Sequence, residues 1–239
     1  MTKTVRLLSG GAAQGLVRQL QDRFLAECGC QIEGSFGAVG AMRDKLLAGE
    51  PCDLVILTQA LVEQLIGSGH VIAGSQTPLG VVKTGIAVKG DETAPDVATA
   101  AALKAALLTA RGIYFPDPVK ATAGIHFMKV LQALGIDQQI ATRLRPFPNG
   151  ATAMREMAQA GEAGLVGCTQ VTEILYTPGV QLVGLLPSEF ELATVYAAAV
   201  CSAAREPQAA ADLIRLLASP ETAAIRSAGG FEAVKPAAR

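Results

Sequence analysis

Gly80-Val81-Val82-Lys83-Thr84-Gly85-Ile86-Ala87-Val88 is a long extended run in a chain whose other β-like runs are short. A second such run, Leu192-Ala193-Thr194-Val195-Tyr196-Ala197-Ala198-Ala199-Val200, comes near the end. Around and between them, short β-branched runs alternate with helical periodicity, the pattern of an α/β protein with parallel strands. Two long extended segments can each cross between lobes. That reading builds one lobe from both chain ends, residues 1–82 plus 195–239, and inserts a second lobe, 83–194. Each lobe is expected to be a mostly parallel sheet flanked by helices, with the cleft between them as the default ligand site.

Working outward from the crossings, Val5-Arg6-Leu7-Leu8 reads as a first strand stopped by Ser9-Gly10-Gly11. Leu16, Val17, Leu20 and Phe24 then recur at helical spacing. Asp53-Leu54-Val55-Ile56-Leu57 is continuously apolar, as a strand buried on both faces should be. The inserted part repeats the scheme. Helices are expected near 99–110, 123–134 and around Met154, strands at 112–115 and 164–168, and a final amphipathic helix carries Leu213, Ile214 and Leu217.

Composition excludes several classes. The 239 residues carry 20 Lys+Arg against 21 Asp+Glu, a net charge of −1, so nothing draws the whole chain to nucleic acid or anionic lipid. Trp is absent and aromatics make up 4%, which is poor material for stacking single-stranded bases. No run approaches the roughly 18 to 20 apolar residues of a membrane helix, so no membrane insertion is expected. The opening Met1-Thr2-Lys3 reads as a natural start without a secretory signal, and the expected location is cytoplasmic, or periplasmic if a leader was removed. Five cysteines, an odd number without a CxxC pair, argue against a disulfide framework. Cys28-Gly29-Cys30 has no second ligand pair, and two histidines are too few for a His-rich metal site; neither metal nor cofactor is expected.

The chemistry sits in Gly- or Ser-containing turns between a strand and a helix. There the first helical N–H groups lack intrahelical partners and the helix dipole adds positive charge, so an anion is welcome. Four turns qualify: Ser9-Gly10-Gly11-Ala12, Ser35-Phe36-Gly37-Ala38-Val39-Gly40, Thr122-Ala123-Gly124 and Pro148-Asn149-Gly150-Ala151. One such turn is ordinary sheet punctuation; four, split between two lobes, can converge on one negatively charged ligand. No dinucleotide fingerprint, P-loop or nucleophile elbow is present. Lys120 is the best-placed cation, and Tyr196 in the second crossing either faces the cleft or packs. His126 is either a proton shuttle or a locally bonded histidine. Asp117, fixed between two prolines, is a turn residue or a cleft residue.

Several segments carry a family likeness: Ser35-Phe36-Gly37-Ala38-Val39-Gly40-Ala41-Met42, Gly49-Glu50-Pro51-Cys52-Asp53-Leu54-Val55-Ile56, Asp117-Pro118 with Ala123-Gly124-Ile125, and Ser219-Pro220-Glu221-Thr222-Ala223. Over most of its length the chain resembles the periplasmic molybdate-binding proteins, within the two-lobed type II solute-binding class. The resemblance implies the type II periplasmic-binding-protein fold, a closing cleft and, for an exported chain, an ABC permease as partner. Members of that family hold the oxyanion with serine hydroxyls in the first two turns and a tyrosine after the Gly-Ile-Val strand. The matching positions are Gly11, Ala38 or Val39, and Gly167. Backbone N–H groups remain, with Ser9, Ser35 and Thr169 nearby. Each unmet bond to a buried oxyanion costs roughly 1–3 kcal/mol, and a Gly/Ala lining leaves more room. The expected ligand is therefore a small organic carboxylate in preference to molybdate, bound by a monomer.

Three further stretches, Leu8-Ser9-Gly10-Gly11-Ala12, Ala121-Thr122-Ala123-Gly124-Ile125-His126-Phe127 and Thr194-Val195-Tyr196-Ala197-Ala198-Ala199, are similar to a branch that includes bacterial aconitate isomerase. That likeness implies an alternative, a 1,3-proton shift in a small di- or tricarboxylate. Turn amides would anchor carboxylates, Lys120 would be a counter-ion, and His126 or Asp117 the base. A third class, the effector lobe of a regulator, finds no DNA-binding helices before Val5.

Overall fold

The computed structural model describes residues 3–234; Met1-Thr2, read above as a natural start, lies outside them. In chain order the elements are β1 (Lys3–Gly10), α1 (Gln14–Cys28), β2 (Cys30–Gly37), α2 (Val39–Leu47), β3 (Leu54–Thr58), α3 (Gln59–Gly67), β4 (Thr77–Lys89), α4 (Ala100–Thr109) and β5 (Gly112–Pro116). There follow α5 (Thr122–Ala133), β6 (Leu144–Phe147), α6 (Gly150–Gln159), β7 (Leu165–Gln170), α7 (Val171–Tyr176), β8 (Val180–Leu185), β9 (Ala193–Val200), α8 (Pro207–Ala218) and α9 (Ala223–Ala228). The described residues fall into two compact units. The chain leaves the first within β4, after Val82, and re-enters it at Thr194 in β9.

In the first unit the strand order is β2-β1-β3-β9. β1 pairs in parallel with β2 and β3, whereas β9 runs antiparallel to β3. The apolar run of β3 is buried along its whole length, as its unalternated sequence requires. Leu7, Leu20, Phe24, Leu54, Ile56, Leu57 and Leu65 fill the core. One carboxylate ties three elements together. Asp53 accepts from the Arg6 N–H (2.8 Å) and from the N–H groups of Arg205 (2.6 Å) and Glu206 (3.0 Å) just before α8.

The second unit has the order β4-β7-β5-β6, with β8 also paired to β4. β5 is parallel to β6 and β7, and β4 is antiparallel to both β7 and β8. Ile86, Val166 and Cys168 face Leu103, Leu107, Phe127, Val130 and Leu131 on one side of the sheet. On the other, Ala87, Tyr114 and Leu165 face Met154, Met157 and Ile174. Both sheets are thus mixed: the crossing strands run against the parallel βα series. Sequence periodicity misses β6, α7 and β8. Each is short, β6 carries Pro146, and a proline is tolerated only where a strand has an edge.

Candidate anion-binding site

In the first unit, β1 ends at Gly10 and a short 3-10 turn, Gly11–Ala13, leads into α1. Neither start receives a side-chain cap, and α2, entered through an extended Ala38, has none either. By contrast, α3 is capped by Thr58, whose hydroxyl accepts from the Leu61 N–H at 3.4 Å. The N–H groups at the starts of α1 and α2 therefore meet no capping side chain. These starts sit at the carboxyl ends of parallel strands, where α/β sheets take ligands.

Gly10 is required at the junction. A Cβ there would lie 2.7 Å from Val39 Cγ1 and 3.0 Å from Tyr196 Cε1. Tyr196 accordingly packs; it is 3% exposed. Gly37, next to Ala38, is covered by Met42, whose Cε would be 2.8 Å from an added Cβ. The Ser9 hydroxyl is buried and donates to the Gly10 carbonyl at 2.9 Å. Ser35 corrects the expected turn: it lies inside β2, paired with Leu8, and only Gly37 and Ala38 make the bend into α2. It borders a depression of about 200 Å³ shared with Arg6, Glu33 and Glu50.

In the second unit, α5 starts after Ala121 with no side-chain cap. Gly124 packs directly on the carbonyl oxygens of Pro116 and Asp117, where no Cβ fits, so Thr122, Ala123 and Gly124 are held at the end of β5. Asp117 makes the corner: its Oδ1 accepts from the N–H groups of Val119 (2.7 Å) and Lys120 (2.9 Å). Lys120 is exposed on that corner. His126 is half-buried one turn into α5, its Nε2 2.8 Å from the Phe190 carbonyl oxygen. Both residues proposed as bases are thus engaged in local structure.

The fourth turn departs from expectation. Asn149 caps α6, its Oδ1 accepting from the Thr152 N–H at 2.8 Å. The acceptor at this helix start is internal: Glu173 Oε1 accepts from the Ala151 N–H at 3.3 Å, and Glu173 Oε2 from the Thr169 hydroxyl at 2.5 Å. Gly150 leaves the space, since a Cβ would overlap both Thr169 and Glu173. Burial pushes the Glu173 carboxyl above the ordinary carboxylate range, against the opposing pull of Thr169 and the amides of Ala151, Gln170 and Gly150. Thr169 and the Ala151 amide thus already have an internal carboxyl as partner. Sequence reasoning missed Glu173, although it stands three residues after the α7 N-cap Gln170, the spacing of a capping box.

A Cβ at Gly167 would lie 2.5 Å from Met154 Cε, so any larger residue there requires the Met154 side chain to swing aside. Among the described residues no group of three or more His, Cys, Asp or Glu could hold a metal ion. All five thiols are free; Cys28 is exposed and the other four are buried. Among the described residues no helix is long and apolar enough to cross a membrane.

Comparisons with known proteins agree with this fold. A curated relative, an aconitate isomerase from a Pseudomonas species, is 28% identical over 233 residues, covering 95% of this chain and 87% of that protein. Among solved structures, the periplasmic molybdate-binding protein of Azotobacter vinelandii superposes with a TM-score of 0.79 at 20% identity, covering 97% of this chain and 99% of the other. The sulfate-binding protein of Mycobacterium tuberculosis gives 0.74 at 17% identity, covering 98% and 88%. These establish the two-lobed periplasmic-binding fold. The family model described as bacterial extracellular solute-binding protein matches residues 5–232, and the chain belongs to that family.

Proposed function

We propose that this chain captures a small organic carboxylate. The donors are the uncapped N–H groups at the starts of α1 and α2 in the first unit; the start of α5 in the second unit offers donors of the same kind. One observation carries the reading: these starts are walled by Gly10, Gly11, Ala12, Ala38 and Ala123, with no hydroxyl turned toward them from Ser9. Backbone donors suit a planar carboxylate and leave room for its carbon skeleton. A bare oxyanion would lose the hydroxyls that hold it in molybdate-binding relatives. In this reading the protein acts as a monomeric binder, either in the cytoplasm or as the periplasmic receptor of an ABC permease. Cell fractionation separates those two settings. A thermal-shift screen of molybdate, tungstate, sulfate, citrate, cis-aconitate and trans-aconitate tests the ligand class. A response to a carboxylate supports the reading, and a response to molybdate alone overturns it.

The aconitate isomerase relative favours a second reading, catalysis of a 1,3-proton shift on the same ligand class. An isomerase exchanges the substrate's methylene protons into deuterated water; a binder returns the ligand unlabelled. His126→Gln and Asp117→Asn stop that exchange if either residue is the base. Unchanged exchange in both variants removes them from that role.

A further inference from the structure

We infer that Thr84 and Gln170 form a polar subsite that reads a hydroxyl group on the ligand; this rests on the carboxylate reading above and narrows it to hydroxycarboxylates. Thr84 in β4 and Gln170 at the end of β7 are register partners in an antiparallel pair, which puts their side chains side by side on one face. They are 1% and 3% exposed. Even so, Thr84 Oγ1, Gln170 Nε2 and Gln170 Oε1 have no hydrogen-bond partner within the described residues. Buried amides and hydroxyls are normally paired, so three unpaired atoms on one register pair form a prepared contact.

The face is set by alternation along the strands. Gln170 continues the side of Val166 and Cys168, and Thr84 that of Ile86, all facing Phe127 and Val130 of α5. β7 lies beside β5 in parallel, so Gln170 ends at the same sheet edge as the Pro116–Asp117 corner that seats Gly124. A twelve-residue helix with uncapped N–H groups and an uncharged donor–acceptor pair thus share one edge of one unit.

The chemistry selects the group. A carboxylate only accepts hydrogen bonds and leaves Gln170 Oε1 without a donor. A hydroxyl both donates and accepts, and so satisfies the amide oxygen and the amide nitrogen or the threonine together. The ligand is therefore a carboxylate held at α5 that carries a hydroxyl on a neighbouring carbon.

Calorimetric titration of the full chain with citrate and with tricarballylate, the same tricarboxylate without the hydroxyl, tests this, with L-malate and succinate as a second pair. The hydroxylated member should bind about tenfold more tightly. Gln170→Met and Thr84→Val should each abolish that preference and leave tricarballylate affinity unchanged; if Gln170→Met does not fold, Thr84→Val still gives the answer. Equal affinities in the unsubstituted protein, or a preference that survives in the variants, overturns the hydroxyl subsite and leaves the carboxylate reading standing. Binding of none of the four acids overturns both.

Discussion

Replacing Gly124 by alanine separates helix propensity from site geometry, because the two predict opposite signs. In an open helix, glycine to alanine stabilises by up to about 1 kcal/mol. At Gly124 the new Cβ meets the carbonyl oxygens of Pro116 and Asp117, both backbone, neither able to swing aside. Overpacking of that kind costs up to about 3 kcal/mol. The net is a loss of about 2 kcal/mol. At roughly 2–4 °C per kcal/mol for a chain of this size, Tm should fall by about 4–8 °C. Relief of the clash also tilts the start of α5 away from β5, so carboxylate affinity should fall with stability. Gly67 supplies the control: it ends α3, and an added Cβ there meets nothing within 4 Å. Scanning calorimetry should show Gly67→Ala unchanged or more stable and Gly124→Ala less stable. A Gly124→Ala variant as stable as its parent refutes the claim that α5 is seated by direct contact with the β5 corner.

Asp53→Ala removes the acceptor of three backbone N–H groups and should cost about 3 kcal/mol, measured by urea unfolding; a loss below about 0.5 kcal/mol would show that water replaces the carboxylate freely. Glu173 gives a pH signature. Its folded carboxyl holds a proton more tightly than the unfolded chain does, so its contribution is fully present below about pH 4.3, the ordinary glutamate value, and is lost as pH rises through the raised folded value. The Tm of the parent minus that of Glu173→Gln should therefore shrink between pH 4 and pH 7; a gap that widens contradicts the burial argument. Among the thiols, exposed Cys28 should be alkylated in the folded protein. Cys168, whose thiol burial pushes far above its ordinary range, should react only after unfolding.

The fold was legible because its signals are local. The apolar run of β3, the helical spacing of Leu16, Val17, Leu20 and Phe24, and the two long extended runs of β4 and β9 each read as they fold from a few neighbouring residues. The likeness over the helix starts supplied the family. Illegible features depend on residues far apart in sequence or on short elements. β6 and β8 are edge pieces without enough periodicity to register, and Ser35 fell two positions inside β2 because strand ends are poorly marked. The filling of the α6 start by Glu173 joins residues 22 positions apart across a strand and a short helix. The Thr84–Gln170 pair joins two strands separated by the inserted βα series. The second arrangement exists only through the register of β4 on β7, and the first only through the packing of α7 against the start of α6.

The central claim is that uncapped, side-chain-poor helix starts bind a carboxylate in place of a bare oxyanion. Competition calorimetry tests it directly: trans-aconitate or citrate is titrated into protein held in excess molybdate, and again into protein alone. The account predicts one-to-one carboxylate binding with nearly the same affinity in both titrations. Molybdate that binds stoichiometrically and blocks every carboxylate would contradict it.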